Sequence, residues 1–208
     1  MNNLVELQFD GPRDGATTIA LAHGAGQGMD SRFLSFFAAE LAKRGFRVAR
    51  FEFPYMMEHR RTGKGKPRDR PDVLKATWLK VVASLGPQKL VIGGKSMGGR
   101  IASLIADEAG VRGLVCLGYP FHPVGKPDQL RVEHLRTIKT PTLIVQGERD
   151  TFGNREEVGR YELSSKIHIH WVHDGDHSFK PRKKSGRTEQ QNWEDASDRI
   201  ESFANVRR

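Results

Sequence analysis

The segment GKSMG at residues 94–98 matches the pattern G-x-S-x-G, in which the serine can act as a nucleophile. An apolar run, residues 90–93, precedes it, and a helical pattern follows it. In this strand–turn–helix setting, a strained turn lifts a serine hydroxyl above the end of a strand. Gly94 and Gly98 leave room for so tight a turn. We therefore predict that Ser96 attacks a carbonyl carbon and forms a covalent acyl intermediate.

A serine hydroxyl is a weak nucleophile unless a neighbouring base takes its proton. Where the nucleophile lies on such a turn, an acid and then a histidine follow it in the chain. Asp150 ends the segment LIVQGERD, and His177 follows the last strand-like run, so both come where strands end. We predict that Asp150 orients His177, which accepts the proton of Ser96. Asp174 and Asp176 are alternatives for the acid, although Asp-Gly-Asp is typical of a turn.

The segment HGAG at residues 23–26 follows another apolar run and consists mostly of small residues. Small residues allow a backbone N–H group to point at the oxygen that becomes negative during acyl transfer. We predict that the N–H groups of Ala25 and Met97 form this oxyanion hole. The positive end of the helix after Ser96 would add to the stabilisation. His23 is predicted to support the loop by hydrogen bonding.

Strand-like runs alternate with helical patterns along the chain. The strands are predicted at Leu4–Phe9, Thr18–Ala22, Arg47–Phe53, Lys89–Gly93, Gly113–Leu117, Thr142–Gln146 and Lys166–Val172. The helices are predicted at Ser31–Lys43 (after Asp30 as N-cap), Pro71–Leu85, Met97–Ala109, Arg155–Glu162 and Glu189–Ala204. Continuous apolar runs bounded by Gly or Pro are typical of parallel strands buried on both faces. The order predicts an α/β fold, a three-layer α/β/α sandwich around a mostly parallel sheet, in one domain over residues 1–208.

The connection Tyr119–Lys139, between two predicted core strands, is too short for a cap domain. It has room for a loop and a short helix around Asp128–Arg136. We therefore predict a shallow, open site that suits small or surface-presented acyl groups. The last predicted strand, KIHIHWV, alternates in polarity and is expected to be half-exposed or at a sheet edge.

The net charge of +9 is confined to two segments of the 208-residue chain. Residues 58–71 hold six Lys or Arg and two acids, and residues 180–187 hold five Lys or Arg and no acid. Either these segments are solvated loops, or they form a basic rim beside Ser96 that attracts substrates with a carboxylate or phosphate. The candidate rim residues are Arg60, Arg61, Lys180 and Arg182. No basic platform interleaved with aromatic residues favours nucleic acid as a partner.

Composition disfavours several other classes of protein. No apolar run approaches the ~18–20 residues that span a bilayer, so no membrane partner is expected. Residues 1–11 lack the basic and apolar regions of a signal peptide. The single cysteine, Cys116, is predicted to be an inert core residue, and a cytoplasmic location is expected. His168 and His170 mimic a metal pair on one strand face, but no carboxylate pattern completes it, so neither a metal nor a cofactor is expected.

Taken together, these motifs resemble the α/β-hydrolases over nearly the whole chain. The stretches that carry the resemblance are HGAGQGMDS, FEFPYM, GGKSMGGR, QGERD and DGDHSFKPRKKSGRTE. They are similar to the small dienelactone-hydrolase-like branch, related to testis-expressed hydrolase-like proteins and subunit three of the NSL complex. The resemblance implies the same catalytic assignment of Ser96, Asp150 and His177. Dienelactone hydrolases use a cysteine where this chain has Ser96, so dienelactone is not the expected substrate.

The sequence thus predicts a serine hydrolase that cleaves a small-molecule ester or thioester, with His177 activating the water that releases the acyl group. Amide cleavage and acyl transfer to another acceptor stay open. The alternative is a non-catalytic interaction module that keeps the fold and binds a partner through its basic segments. Glu52, between Phe51 and Phe53, is either a pocket carboxylate or a paired buried charge.

Overall fold

The fold is described from a computed structural model that covers residues 5–206. The strands are β1 (Gln8–Asp10), β2 (Thr18–Ala22), β3 (Arg47–Phe51), β4 (Leu90–Lys95), β5 (Gly113–Leu117), β6 (Thr142–Gly147) and β7 (Ile167–Val172). They form one sheet in the order β1-β3-β2-β4-β5-β6-β7. Only β1 runs antiparallel, against β3; the other pairs are parallel. The carboxyl ends of β2, β4, β6 and β7 therefore meet at one edge of the sheet.

Helices connect these strands and cover the sheet. They are α1 (Arg32–Lys43), α2 (Pro54–Thr62), α3 (Pro71–Leu85), α4 (Met97–Ser103), α5 (Ala106–Ala109), α6 (Arg155–Val158) and α7 (Glu189–Asn205). The three-layer α/β fold predicted from the sequence is confirmed. No helix within residues 5–206 is both long enough and apolar enough to cross a membrane.

The predicted strands lie where the structure has them, with differences at their ends. β2 and β5 have the predicted bounds. The first predicted strand begins at Leu4, outside the described residues, and β1 starts only at Gln8. β3 ends at Phe51 because Pro54 already begins α2. The prediction of an edge position for the last strand is confirmed, since β7 borders the sheet beside β6.

Four expectations about helices needed correction. The helix predicted at Arg155–Glu162 ends already at Val158. The predicted helix Met97–Ala109 is broken, because the backbone of Ile105 (φ −120°, ψ −4°) leaves helical geometry between α4 and α5. Helix α1 is capped by Ser31, whose hydroxyl accepts from Leu34 N–H, and not by Asp30. The basic segment 58–71 was interpreted as a loop, but residues 58–62 form the end of α2, which starts with a proline at its first turn.

Large aromatic side chains fill the core on both faces of the sheet. On one face Phe51 packs against Trp78 of α3 with ring centroids 4.7 Å apart. On the other face α1 and α7 meet through Phe33 and Trp193, whose centroids are 5.4 Å apart. The indole N–H of Trp78 donates to Gly98 O at 3.3 Å, which ties α3 to the start of α4. Burying each such side chain contributes roughly 1.5–3 kcal/mol, so this packing fixes the sheet edge that carries the site.

The connection between β5 and β6 holds no cap domain, as predicted. Residues 118–141 form a loop with one short 3₁₀ turn, Glu133–Arg136, near the place where a short helix was expected. Between β5 and β6 the chain therefore adds no further domain to the edge of the sheet that carries Ser96.

Candidate active site

Ser96 lies at the turn between β4 and α4 in a backbone conformation that side chains rarely adopt, with φ 49° and ψ −112°. The two flanking glycines are required by close backbone contacts. A Cβ on Gly94 would lie 2.1 Å from Ala22 O, and a Cβ on Gly98 would lie 2.5 Å from the same oxygen. The turn is therefore packed against the end of β2, which holds Ser96 above the sheet edge.

His177 and Asp150 are in direct contact at the ends of β7 and β6. Nδ1 of His177 lies 2.8 Å from Oδ2 of Asp150, which is fully buried. A carboxylate can only accept, so Nδ1 carries the proton and Nε2 of the neutral ring is left free to accept one. Phe152 packs on the imidazole with ring centroids 4.3 Å apart and limits its rotation.

Gln146, a fully buried residue of β6, holds Asp150 in place, and sequence reasoning had missed it. Its amide nitrogen donates to Asp150 Oδ2 at 2.9 Å and to the carbonyls of Tyr119 and Gly153 at 3.1 Å. Its amide oxygen accepts from Tyr119 N–H at 2.7 Å. The other carboxylate oxygen of Asp150 accepts from Phe152 N–H at 2.9 Å. The one available signal was a polar residue within the apolar run of β6.

The imidazole of His177 lies beside the turn that carries Ser96. The N–H of Ser96 donates to Leu117 O at 2.9 Å. The next residue, Gly118, faces the histidine so closely that a Cβ there would lie 3.3 Å from Cε1 of His177. No hydrogen bond joins the Ser96 hydroxyl to Nε2 of His177 in this structure, although both residues are among those described. Catalytic hydrogen bonds of unliganded enzymes often tighten only around substrate, so this third contact stays a prediction.

Lys95, between Gly94 and Ser96, is a buried cation that the sequence did not single out. Its ammonium donates to the backbone carbonyl of His177 and lies 5.3 Å from the ring centroid of Phe33. Burial lowers the pKa of Lys95 to about 8, although Asp150 and Asp176 act in the opposite direction. Lys95 therefore connects the turn that carries Ser96 to the loop that carries His177.

Burial also lowers the pKa of His177 below its ordinary value. The hydrogen bond to Asp150 raises this pKa, and the positive charge of Lys95 lowers it. The imidazole is thus neutral at neutral pH, the form that can take a proton from a hydroxyl.

The loop at residues 23–26 is held by two buried side chains. His23 contacts Gly24 O through Nδ1 at 2.6 Å and accepts from Phe53 N–H through Nε2 at 3.1 Å. The Tyr55 hydroxyl donates to the carbonyls of Gly24 and Ala25 at 3.3 and 3.1 Å. Burial raises the pKa of Tyr55 to about 12, so this donor keeps its proton. Since a trans peptide points its N–H opposite to its C=O, the N–H of Ala25 faces away from both side chains.

The two alternative acids have other roles. Asp174 forms ion pairs with Arg149 and Arg182, and the hydrogen bond from Arg182 holds the pKa of this carboxyl well below its usual range. Asp176 accepts from the N–H groups of Ser178 and Lys180 at 2.8 and 3.0 Å, which is turn chemistry. Within residues 5–206, neither carboxylate forms a hydrogen bond with the imidazole, whereas Asp150 does.

Three of the four candidate rim residues already hold a carboxylate. Arg60 donates to Glu52 at 2.7 and 3.0 Å and pairs with Asp30 at 2.9 Å. Arg61 donates to Glu58 at 2.7 and 3.2 Å. Arg182 binds Asp174 through Nε at 2.8 Å. Lys180 is exposed, and its ammonium forms no ion pair with any described residue.

Glu52 is a paired buried charge, and it also lines a cavity of about 680 Å³, so both interpretations of this residue apply. It is 4% exposed, accepts from Met29 N–H at 3.1 Å and takes two hydrogen bonds from Arg60. Arg60 also lines an open cavity of about 550 Å³ between the Ala25 loop and α2. Within residues 5–206, no three His, Cys, Asp or Glu side chains come together as metal ligands would.

Comparisons with known proteins agree with this architecture. A model of the alpha/beta hydrolase domain family matches residues 15–205. A serine hydrolase homologue from Coxiella burnetii shares 19% identity at a TM-score of 0.69, covering 95% of this chain and 90% of that one. A serine hydrolase without a lid from Xanthomonas campestris shares 16% identity at a TM-score of 0.67. The match covers 97% of this chain and 90% of that one. The thioesterase domain from the curacin biosynthetic pathway shares 15% identity at a TM-score of 0.64. The match covers 96% of this chain and 94% of that one.

At these identities the solved structures show a common fold. The family model goes further, because it spans most of the chain. This protein belongs to the alpha/beta hydrolase domain family.

Proposed function

We propose that this protein is a serine hydrolase that cleaves an ester or thioester through Ser96, His177 and Asp150. The observation that carries the proposal is the 2.8 Å contact between His177 Nδ1 and buried Asp150, next to a serine with φ 49°. A buried carboxylate that fixes the tautomer of a neutral histidine beside a strained serine is the arrangement that activates a hydroxyl.

The reaction has two halves. Nε2 of His177 takes the proton of Ser96 while Oγ bonds to the carbonyl carbon, and the N–H groups of Met97 and Ala25 donate to the negative oxygen. As the tetrahedral centre collapses, the bond to the alcohol or thiol breaks, and His177 returns the proton to it. A water molecule, deprotonated by His177, then attacks the acyl-serine, and the acid and free Ser96 are released.

Two further observations support a hydrolase. The structural neighbours include serine hydrolases and a thioesterase domain, although their identity to this chain is low. The motif stretches resemble the dienelactone-hydrolase-like branch, but Ser96 in place of cysteine favours acyl substrates other than dienelactone. The loops over Ser96 favour small or surface-presented acyl groups.

The test is a panel of 4-nitrophenyl and coenzyme A esters of increasing acyl length. We expect turnover by the wild type and a loss of at least about 10³-fold in kcat for Ser96→Ala, as is typical when a triad member is removed. The matched control is Ser202→Ala on α7, where the hydroxyl bonds only Asp198 O of its own helix. Turnover that survives in a folded Ser96→Ala variant would contradict the proposal. A folded wild type without any turnover would instead favour a non-catalytic interaction module.

A further inference from the structure

Three arginines, one on α4 and two on neighbouring connections, form no ion pair with a carboxylate within residues 5–206. They are Arg68, Arg100 and Arg131, which we call the arginine cluster. The backbone N–H of Arg100 donates to Ser96 O at 3.0 Å, so Arg100 is one helical turn from the nucleophile. Arg68 belongs to the basic segment after α2, and Arg131 belongs to the connection between β5 and β6. The cluster thus draws on α4, on the segment after α2 and on the β5–β6 connection.

Hydrogen bonds dock the connection with Arg131 onto α4. The Ser103 hydroxyl donates to Arg100 O at 2.7 Å and lies 2.8 Å from Nε2 of His134. The Tyr119 hydroxyl donates to Arg131 O at 2.9 Å, and Arg131 N–H donates to Phe121 O at 2.7 Å. These hydrogen bonds therefore fix the backbone at Arg100 and at Arg131.

The arginines are close enough to affect one another electrostatically. Burial lowers the pKa of Arg131, and the positive charges of Arg100 and Arg68 lower it further. His134, beside the cluster, has its pKa lowered to about 4, first by burial and then by Arg100. Arg68 also acts on Tyr55, which holds the Ala25 loop. The three arginines thus act on groups from the loop at residues 23–26 to the β5–β6 connection, where Asp69 and Asp107 act in the opposite direction.

Within residues 5–206, the arginine cluster lacks both an ion-pair partner and one hydrogen-bond acceptor. Nε of Arg100 is buried and has no hydrogen-bond partner, and none of the three guanidinium groups forms an ion pair within residues 5–206. A buried donor without a partner is costly, and neighbouring like charges repel. By contrast, Arg60, Arg61 and Arg182 each bind a carboxylate of the protein.

We propose that Arg68, Arg100 and Arg131 bind an anionic group, a carboxylate or phosphate, on the ester that Ser96 attacks. Planar guanidinium groups match both anions through paired N–H donors. The anion would supply the missing partner of Arg100 and offset the mutual repulsion of the cluster. This inference rests on the proposed function for the reacting atoms, and it gives that function a substrate class: anionic esters or thioesters.

The first test compares esters that differ in one charge. Mono(4-nitrophenyl) adipate carries a carboxylate on its acyl chain, and methyl 4-nitrophenyl adipate is its neutral counterpart. A second pair places the charge on the leaving group: the pentanoate esters of 4-hydroxy-3-nitrobenzoate and of its methyl ester. At low salt we expect the wild type to favour the anionic member of at least one pair by about tenfold or more in kcat/KM. The pair that shows the preference identifies the side of the ester that carries the anion.

Arg131→Gln should bring this ratio close to one, and Arg100→Gln should do the same if α4 stays folded by circular dichroism. The matched control is Arg136→Gln, in the same connection, whose exposed side chain pairs with Glu133 and should leave the ratio unchanged. A ratio near one in both wild-type pairs would overturn the inference, while the proposed function would stand if the neutral esters are hydrolysed.

A binding measurement keeps the inference testable even without turnover. Calorimetry with monomethyl adipate and inorganic phosphate should detect binding of at least one anion by Ser96→Ala. The additional change Arg131→Gln should weaken that binding about tenfold or more. Absence of binding by both anions, or binding that Arg131→Gln leaves intact, would overturn the inference.

Discussion

On the β6–β7 side of Ser96 the polar side chains have their partners, whereas on the α4 side three arginines have no counter-ion among the residues that the structure describes. Asp150 binds both His177 and Gln146, and Lys95 binds the carbonyl of His177. On the α4 side, the charge of Arg100 lowers the pKa of Arg131, and neither side chain pairs with a carboxylate within residues 5–206. The first arrangement fixes the tautomer and the orientation of the His177 imidazole before any ligand arrives. The second is completed only by a negative charge from outside the protein.

The largest effect on kcat is expected from a substitution of Asp150, the carboxylate that contacts His177. Asp150→Asn keeps the shape but makes an amide donor possible beside Nδ1, so His177 takes the wrong tautomer. We expect kcat for a neutral ester to fall about 10⁴-fold, the loss that this change produces in serine proteases. Asp176→Asn is the matched control, because an amide oxygen can still accept from Ser178 and Lys180 N–H. A larger loss in the control than in Asp150→Asn would move the acid to Asp176.

Gln146 tests how far the satisfied network stabilises the protein. Gln146→Leu leaves the N–H of Tyr119 and the carbonyls of Tyr119 and Gly153 without this buried partner. We expect the free energy of unfolding to fall by about 2–4 kcal/mol, since each buried unpaired group costs about 1–3 kcal/mol. Urea denaturation measures the change. A loss below about 0.5 kcal/mol would mean that water replaces Gln146 and that the network is not needed for folding.

The burial of the Lys95 ammonium should be visible in the pH dependence of the free energy of unfolding. Its pKa is about 8 in the folded protein and 10.5 in the unfolded chain. Between these values the unfolded state binds the extra proton, so the free energy of unfolding should rise with pH, by up to about 3 kcal/mol. Lys95→Met removes this rise. Parallel stability curves for the two proteins from pH 8 to 10 would show that Lys95 is not buried as described.

The same substitution should change the pH profile of catalysis. The charge of Lys95 lowers the pKa of His177. In Lys95→Met the acid limb of kcat/KM should therefore move to higher pH, because His177 must be neutral to act as a base. A merely structural role for Lys95 would lower kcat without moving the limb.

The smallest effect is expected at an arginine that is already paired. Arg60→Gln removes the partner of buried Glu52, so we expect a loss of about 1–3 kcal/mol in stability. The kcat/KM ratio between anionic and neutral esters should stay as in the wild type. A ratio that collapses in Arg60→Gln, but persists in Arg131→Gln, would move the anion site from the arginine cluster to the rim.

Much of the architecture was predictable because single short segments determine it. The apolar runs of β2 and β5, and the glycines around Ser96, each report a local constraint that the sequence displays directly. Ser96, Asp150 and His177 each follow a strand, and the parallel sheet brings these strand ends to one edge.

The sequence did not reveal which charges neutralise one another. Arg60 and Arg182 looked like free cations in basic segments, but their partners Glu52 and Asp174 come from other segments of the chain. Gln146 and Lys95 likewise depend on contacts with residues more than 20 positions away, at Tyr119 and His177. Such pairings arise only when the chain is folded. The sequence therefore shows where charged residues lie along the chain, but not which of them are free to bind a ligand.

The most direct measurement of the central claim is active-site labelling with a fluorophosphonate, followed by peptide mapping by mass spectrometry. The account predicts one adduct, on Ser96, formed by the wild type and by Ser202→Ala and absent from Ser96→Ala. It also predicts that His177→Ala, although folded, is labelled far more slowly, because the base is missing. An adduct on another serine, or labelling of Ser96 at the same rate without His177, would contradict it.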